Sequence, residues 1–246
     1  MRNIWTLTKK EYGSFFHSPI AYIVGVVIFL TLGIFYWYQI SFAIQTQVYI
    51  PEMSGILDLL LFPLFFLSIP VLTMRSISDE NRTGTLELLL TTPLRDWELI
   101  IGKWLGTFLF FLTIIALTWI YPLVLNFMIE PGIDQTLLVA NYFGITLFTA
   151  ALSAIGILIS SIFNNQIAAL FSTLGVTIIL WIISSPAQLN SGFSADLLNY
   201  LSITNHYYES FRIGIVDLKD VIYYMSITAL ALFLGTKVID AKRWRL

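Results

Sequence analysis

An all-α, polytopic membrane protein with six transmembrane helices is the fold class this sequence predicts, and three observations predict it. Hydrophobic residues make up 57% of the 246 and charged residues only 11%, against about 25% charged in soluble domains. Mean hydropathy is +0.81. Six stretches are apolar over roughly the 20 residues that a spanning helix needs, and Lys and Arg gather at one set of their ends. No linker, low-complexity tract or internal repeat divides the chain, so residues 1–246 read as a single domain.

Residues 1–18 come first. Ile4, Trp5, Tyr12, Phe15 and Phe16 recur at three- and four-residue spacing, with Arg2, Thr6, Lys9, Lys10 and His17 on the opposite arc. That pattern predicts an amphipathic helix lying in the membrane interface. It reads equally as an elbow helix feeding the first span or as a plain basic anchor. Ser18-Pro19 ends it, because proline disfavours helical geometry in the residue before it and opens a helix at its own position.

The spans are predicted at about residues 20 to 40, 54 to 74, 99 to 129, 136 to 160, 166 to 184 and 220 to 239. Ser41-Phe42-Ala43 has the small-x-small look of a cleavage site, but the apolar run before it exceeds the roughly 7 to 15 residues of a signal-peptide core, so the first span is read as retained. Pro63, Pro70 and Pro122 can kink the second and third spans, as bending points or as static packing features. Charge inside the spans is nearly absent. Asp58 is the main exception, read as reaching water from near the end of its span rather than as a functional intramembrane carboxylate. Ala150, Ala154, Gly156 and Ser160 form a small-residue face in the fourth span that lets another helix approach, in the same subunit or in a second one.

Between spans two and three, residues 75–98 form the most charged part of the chain. Gly84 permits a turn, Thr85 to Leu90 fit about two helical turns with Leu86, Leu89 and Leu90 facing membrane or bundle, and Thr92-Pro93 ends them. Asp96 suits the N-cap of the third span. Residues 185–219 form a long segment on the other side whose aromatics favour the membrane interface, and it reads as a surface-lying loop.

Orientation follows from the positive charges, which stay cytoplasmic near span ends. Arg2, Lys9, Lys10, Arg75, Arg82, Arg95, Lys103, Lys237, Lys242, Arg243 and Arg245 share one side; Arg212 and Lys219 fall on the other. Both termini are therefore expected in the cytoplasm, in a multi-pass inner (plasma) membrane protein.

The loop also carries a recognisable pattern. Glu80, Arg82, Gly84, Thr85, Leu86, Glu87, Leu89 and Pro93 stand as Glu-x-Arg-x-Gly-Thr-Leu-Glu-x-Leu-x-x-x-Pro, which resembles the ABC-2 permease family. Lys10-Glu11, Ser18-Pro19-Ile20-Ala21-Tyr22, Pro70-x-x-Thr73-Met74-Arg75, Gly156 to Ser161 and Asp217-x-x-Asp220 make the chain most similar to the gliding-motility-associated subgroup. The resemblance implies that residues 80–93 are a coupling helix gripped by a separate ABC ATPase subunit, which binds ATP and Mg. It implies a second permease copy or a related permease as partner. It also implies that residues 185–219 form short helices that dip back into the outer leaflet and lid the pathway.

Several classes are excluded. A net charge of −2 leaves no clustered basic face for nucleic acid, and the absence of cysteine rules out thiol chemistry and disulfides. No Gly-x-x-x-x-Gly-Lys-Ser/Thr loop is present, since Gly102-Lys103 runs into Trp104; the chain is expected to be no enzyme and to hold no cofactor or metal of its own. His17 and His206 are expected on opposite faces, each as a surface residue. The sparse charge favours export of an amphipathic or lipid-like substrate, with a transport-free membrane scaffold of an ATPase-driven envelope or motility complex as the alternative.

Overall fold

A computed structural model describes residues 2–46, 55, 57–58, 68–86, 91, 94–129, 132–184 and 193–244, all-helical in their regular structure. Helix α1 (Arg2–Phe15) is followed by α2 (Pro19–Thr46), with Pro19 opening the second helix. Two short helices follow, α3 (Ile69–Thr73) and α4 (Ser78–Thr83), then α5 (Asp96–Leu117), α6 (Ile120–Met128), α7 (Gln135–Ile162) and α8 (Gln166–Ile182). Helices α9 (Phe193–Leu201) and α10 (Asn205–Tyr208) and a 3₁₀ turn (Phe211–Ile213) lead to α11 (Leu218–Arg243).

Four stretches are long and apolar enough to cross a membrane among the described residues: Pro19–Gln45, Asp96–Met128, Gln135–Ile162 and Leu218–Arg243. Helix α8 is apolar but, at 17 residues, shorter. Most of the expected second span, Pro63 included, lies outside the described residues.

Local chemistry sets the breaks. The long third span is interrupted between Leu117 and Ile120, four residues ahead of Pro122. Proline lacks the N–H that the Thr118 carbonyl would accept, and its ring crowds that carbonyl; Tyr121 N–H bonds it at 3.1 Å instead. Asp134, Asn165 and Asp217 cap α7, α8 and α11 through their side-chain oxygens. The α5 start departs from expectation. Arg95 occupies the N-cap, Glu98 Oε2 accepts its N–H at 3.1 Å, and Asp96 is already helical and pairs with Arg243 at 2.9 Å. A glutamate three residues into a helix reaches the N-cap amide better than the expected aspartate, which C-terminal Arg243 draws away.

Helix α7 is the central post. Most of its length is buried, and α3, α5, α8, α11 and the 3₁₀ turn all pack on it. Its small-residue face works within the chain: a Cβ at Gly156 would sit 2.3 Å from Thr73 Oγ1.

Both termini lie at one end of this bundle, where the Arg243 guanidinium donates to the Leu94 carbonyl at 3.2 Å. At the opposite end, residues 202–211 pack into the helices. Ile203, Tyr207 and Phe211 are fully buried, and Phe211 lies against Gly144, nine residues into α7 and so roughly 13 Å along it at 1.5 Å per residue. Polar groups carried this far inward must find partners. The Tyr207 hydroxyl donates to Asn141 Oδ1 at 2.8 Å, and the Tyr223 and Tyr224 hydroxyls donate to the carbonyls of Leu201 and Ile203.

Candidate functional site

The loop ahead of α5 is built by its own short-range chemistry. Helix α4 carries Asp79 and Glu80 in its first turn and Arg82 in its last, signs that suit the helix dipole. Gly84 ends it in the left-handed conformation, φ 72°, where a Cβ would be strained. The sequence reading placed a helix only after this glycine; the structure has one before it, with Thr85 and Leu86 resuming helical geometry beyond. Glu87, Leu89 and Pro93 lie outside the described residues.

Each remaining candidate has a distinct position. Arg82 is exposed and pairs with Asp79 at 3.1 Å, a contact of little energetic weight at a surface. Thr85 is exposed, its hydroxyl 2.9 Å from that of Thr83. Leu86 is buried beside Leu7, Ile77, Leu99, Ile100, Ile157 and Ile239, so of the two environments its spacing left open, membrane or bundle, it faces the bundle. Glu80 turns inward and meets Lys103.

Lys103 is the residue sequence reasoning missed. Counted there as one more positive charge at a span end, it stands in the second turn of α5 with 1% of its surface exposed, which corrects the expectation of spans nearly free of charge. Its Nζ donates to Glu80 Oε1 at 2.8 Å, Glu11 Oε1 at 2.9 Å and the Ser76 carbonyl at 2.8 Å. An ammonium has three donors, and all are used. Burying a charge is costly unless it is paired and hydrogen-bonded, so the three acceptors account for its position. The pairing perturbs Glu80 in turn. Burial raises its carboxyl above the ordinary value, and the attraction of Lys103 offsets only part of that.

Two glycines make room for this arrangement. A Cβ at Gly102 would lie 2.7 Å from Leu7, and one at Gly106 would lie 2.5 Å from the Glu11 Cβ and 3.2 Å from the Tyr12 backbone nitrogen. Helix α1 therefore lies against α5 on a Gly-x-x-x-Gly seat, fastened by Thr8 Oγ1 to the Gly102 carbonyl at 3.3 Å and by the Tyr12 and Thr113 hydroxyls 2.9 Å apart. Leu7, Thr8 and Phe15 form its buried face, leaving Trp5 and Phe16 exposed. The glycine spacing, with a lysine inside it and a glutamate on the preceding helix, was the signal available in the sequence.

On its other flank the loop is held by α7. Ser160 Oγ accepts the N–H groups of Ile77 and Ser78, each at 3.1 Å, and donates to the Met74 carbonyl at 3.1 Å. One hydroxyl thus pins the turn that delivers Ser76 and Glu80 to Lys103. The arrangement holds no nucleophile and base in register for bond-making chemistry, and no group of three or more potential metal ligands occurs among the described residues. It joins an amphipathic helix, a charged loop and two long apolar helices.

The sequence pattern of the ABC-2 family transporter proteins matches residues 5–239, nearly the whole chain. The chain belongs to the ABC-2 transporter family. ABC-2 proteins of this kind are non-catalytic, multi-pass permease subunits that normally work with an ABC ATPase, often as dimers. No curated protein matches the chain.

Two further polar residues have partners that the sequence reading did not name. Asp58, read as reaching water, is partly exposed and accepts from Arg212 Nε at 2.7 Å. His206, read as a surface residue, is buried: Nδ1 lies 2.6 Å from Asp220 Oδ1, Nε2 lies 2.9 Å from the Tyr200 carbonyl, and the ring stacks on Tyr223 at 3.7 Å. Packing of the aromatic segment against α11 removes it from solvent, and Ser210 donates to the other Asp220 oxygen.

Proposed function

We propose that this ABC-2 protein is the six-span permease subunit of an ATP-driven exporter, moving an amphipathic or lipid-like substrate and receiving its energy at residues 80–93. The observation that carries the reading is the Lys103 junction, which ties the inner side of that loop to α1 and to the third span while Arg82 and Thr85 stay exposed. Such a segment offers a soluble partner an outer face and transmits force from its inner face.

In this reading the end with both termini is cytoplasmic in the inner membrane, as the Lys and Arg distribution favours, and helix α1 is the elbow helix. The stretch 54–74 supplies the second span and α8, tilted or extended, the fifth. The separate ATPase binds ATP and Mg, and its closure on residues 80–93 switches the permease and a second copy or related permease between inward- and outward-open states. Residues 185–219 lid the outer side, supported by the depth of Phe211 beside Gly144.

The test is copurification from native membrane in mild detergent, followed by reconstitution. An ABC ATPase is expected with the wild type and lost from the Arg82→Glu, Glu87→Lys double variant. Vesicles holding the recovered complex should then move a fluorescent single-chain amphiphile only with ATP. Retention of the ATPase by the double variant would remove residues 80–93 from the coupling role. An ATPase complex that moves no amphiphile would favour the scaffold of an envelope or motility machine, which the similarity to the gliding-motility subgroup also suggests.

A further inference from the structure

Beside its hydrogen bonds to Ser160 of α7, the loop 75–86 touches α1 and α5 in two unequal ways. Apolar contacts through Ile77 and Leu86 join it to Leu7, Leu99 and Ile100. Such contacts are non-directional, so a displaced helix can slide across them. The Lys103 contacts are directional and buried, and shifting any one acceptor leaves a charge without its partner in a site closed to water. Lys103 also takes one acceptor from each of three segments: Glu11 from α1, Ser76 from the turn before α4, and Glu80 from α4.

We propose that Lys103 is the positioning residue that makes α1 travel with the coupling loop, so that an ATPase stroke on residues 80–93 moves the interfacial helix and the third span together. This rests on the reading of residues 80–93 as the part that receives the ATPase. The glycine seat supports it, because Gly102 and Gly106 bring α1 close enough for Glu11 to share the same ammonium as Glu80. Without that seat, Lys103 would hold only the loop. With it, α1 becomes an output of the coupling loop as well as a strap on α5.

The chain has no cysteine, so spin-label pairs can be introduced without removing native thiols. One pair joins exposed Lys9 on α1 to exposed Thr83 on α4; another joins Thr83 to exposed Lys219 at the far end. Distances are measured by pulsed electron spin resonance in the complex with its copurified ATPase, with and without Mg and a non-hydrolysable ATP analogue. In the wild type the Thr83 to Lys219 distance is expected to shift with nucleotide while the Lys9 to Thr83 distance stays fixed. In Lys103→Met the first shift persists and the second distance now changes, with Lys103→Arg restoring the fixed distance. If Lys103→Met does not assemble, Glu11→Leu, which has no acceptor, cuts only the α1 leg and is expected to release the same distance. A Lys9 to Thr83 distance that stays fixed in the variant used overturns the proposal. No shift of Thr83 against Lys219 in the wild type overturns the coupling reading itself, and this inference with it.

Discussion

Arg212 Nε donates to Asp58 Oδ2 at 2.7 Å across 154 residues of sequence. The pair joins the end of the aromatic segment to the stretch expected to form the second span. It resolves two anomalies together, since Asp58 is the carboxylate out of place in an apolar stretch and Arg212 is a positive charge at the end with few. The Arg212 side chain is 44% exposed and Asp58 19%, so the pair is worth about 1 kcal/mol or less. Asp58→Asn and Arg212→Gln should each lower the melting temperature slightly. The double variant should lose little more than the larger single loss, and a strictly additive loss would show that the two charges do not interact.

The glycine contacts carry a larger penalty. Gly156 faces Thr73 and Gly106 faces the Glu11 Cβ at distances no Cβ can occupy, whereas a Cβ at Gly175 meets nothing within 4 Å. Overpacking of a fitted interface costs roughly 1 to 3 kcal/mol. Gly156→Val and Gly106→Val should therefore lower the melting temperature clearly in detergent, and Gly175→Ala should leave it unchanged or raise it, since alanine is the better helix former. Equal effects at all three positions would mean that the close approaches are not what holds the bundle.

How much of this was legible in the sequence depends on the range of the interaction. The first, third, fourth and sixth long helices, the break at Pro19, the interruption near Pro122 and the turn at Gly84 follow from the residues themselves, and these are present among the described residues. The small-residue face of α7 was visible as spacing, but its partner was not, because Gly156 and Ser160 meet Thr73 to Ser78 more than eighty residues away. Lys103 escaped for the same reason: a lysine near a span end ordinarily reaches water, and only the third dimension brings Glu11 and Glu80 to it. Three of the short motifs behind the subgroup resemblance meet in space, while Asp217 and Asp220 stand at the opposite end. Glu11, Thr73, Gly156 and Ser160 all stand at or beside the junction.

The Glu80 carboxyl is held above its ordinary value of 4.5 because burial disfavours the charged form, with Lys103 opposing. An acid whose pKa is higher folded than unfolded binds its proton more tightly in the folded state. Its contribution to stability is therefore greatest below the unfolded value and falls as pH rises from about 4.5 through the folded value. Glu80→Gln removes that titration. The melting temperature of the wild type minus that of the variant should fall with rising pH across this window and level off above it. A difference that rises instead would mean that the Lys103 attraction outweighs burial.

Two aspartates three residues apart, at the start of α11, should respond very differently to removal. Asp217 is an exposed N-cap whose carboxylate accepts the Lys219 N–H at 3.2 Å; losing such a cap costs about 1 kcal/mol. Asp220 is 1% exposed and accepts from both Ser210 and His206, while His206 reaches the Tyr200 carbonyl on α9. Removing the buried acceptor leaves both His206 and Ser210 without their partner, at about 1 to 3 kcal/mol for each orphaned group, and here it also frees the aromatic segment from α11. Asp220→Ala should lower the melting temperature several times more than Asp217→Ala and make residues 193–215 sensitive to protease at a concentration the wild type withstands. The two readouts separate the causes. A stability loss without new cleavage would place the Asp220 contribution within α11 alone, whereas cleavage would identify the His206 to Asp220 contact as what holds the segment down.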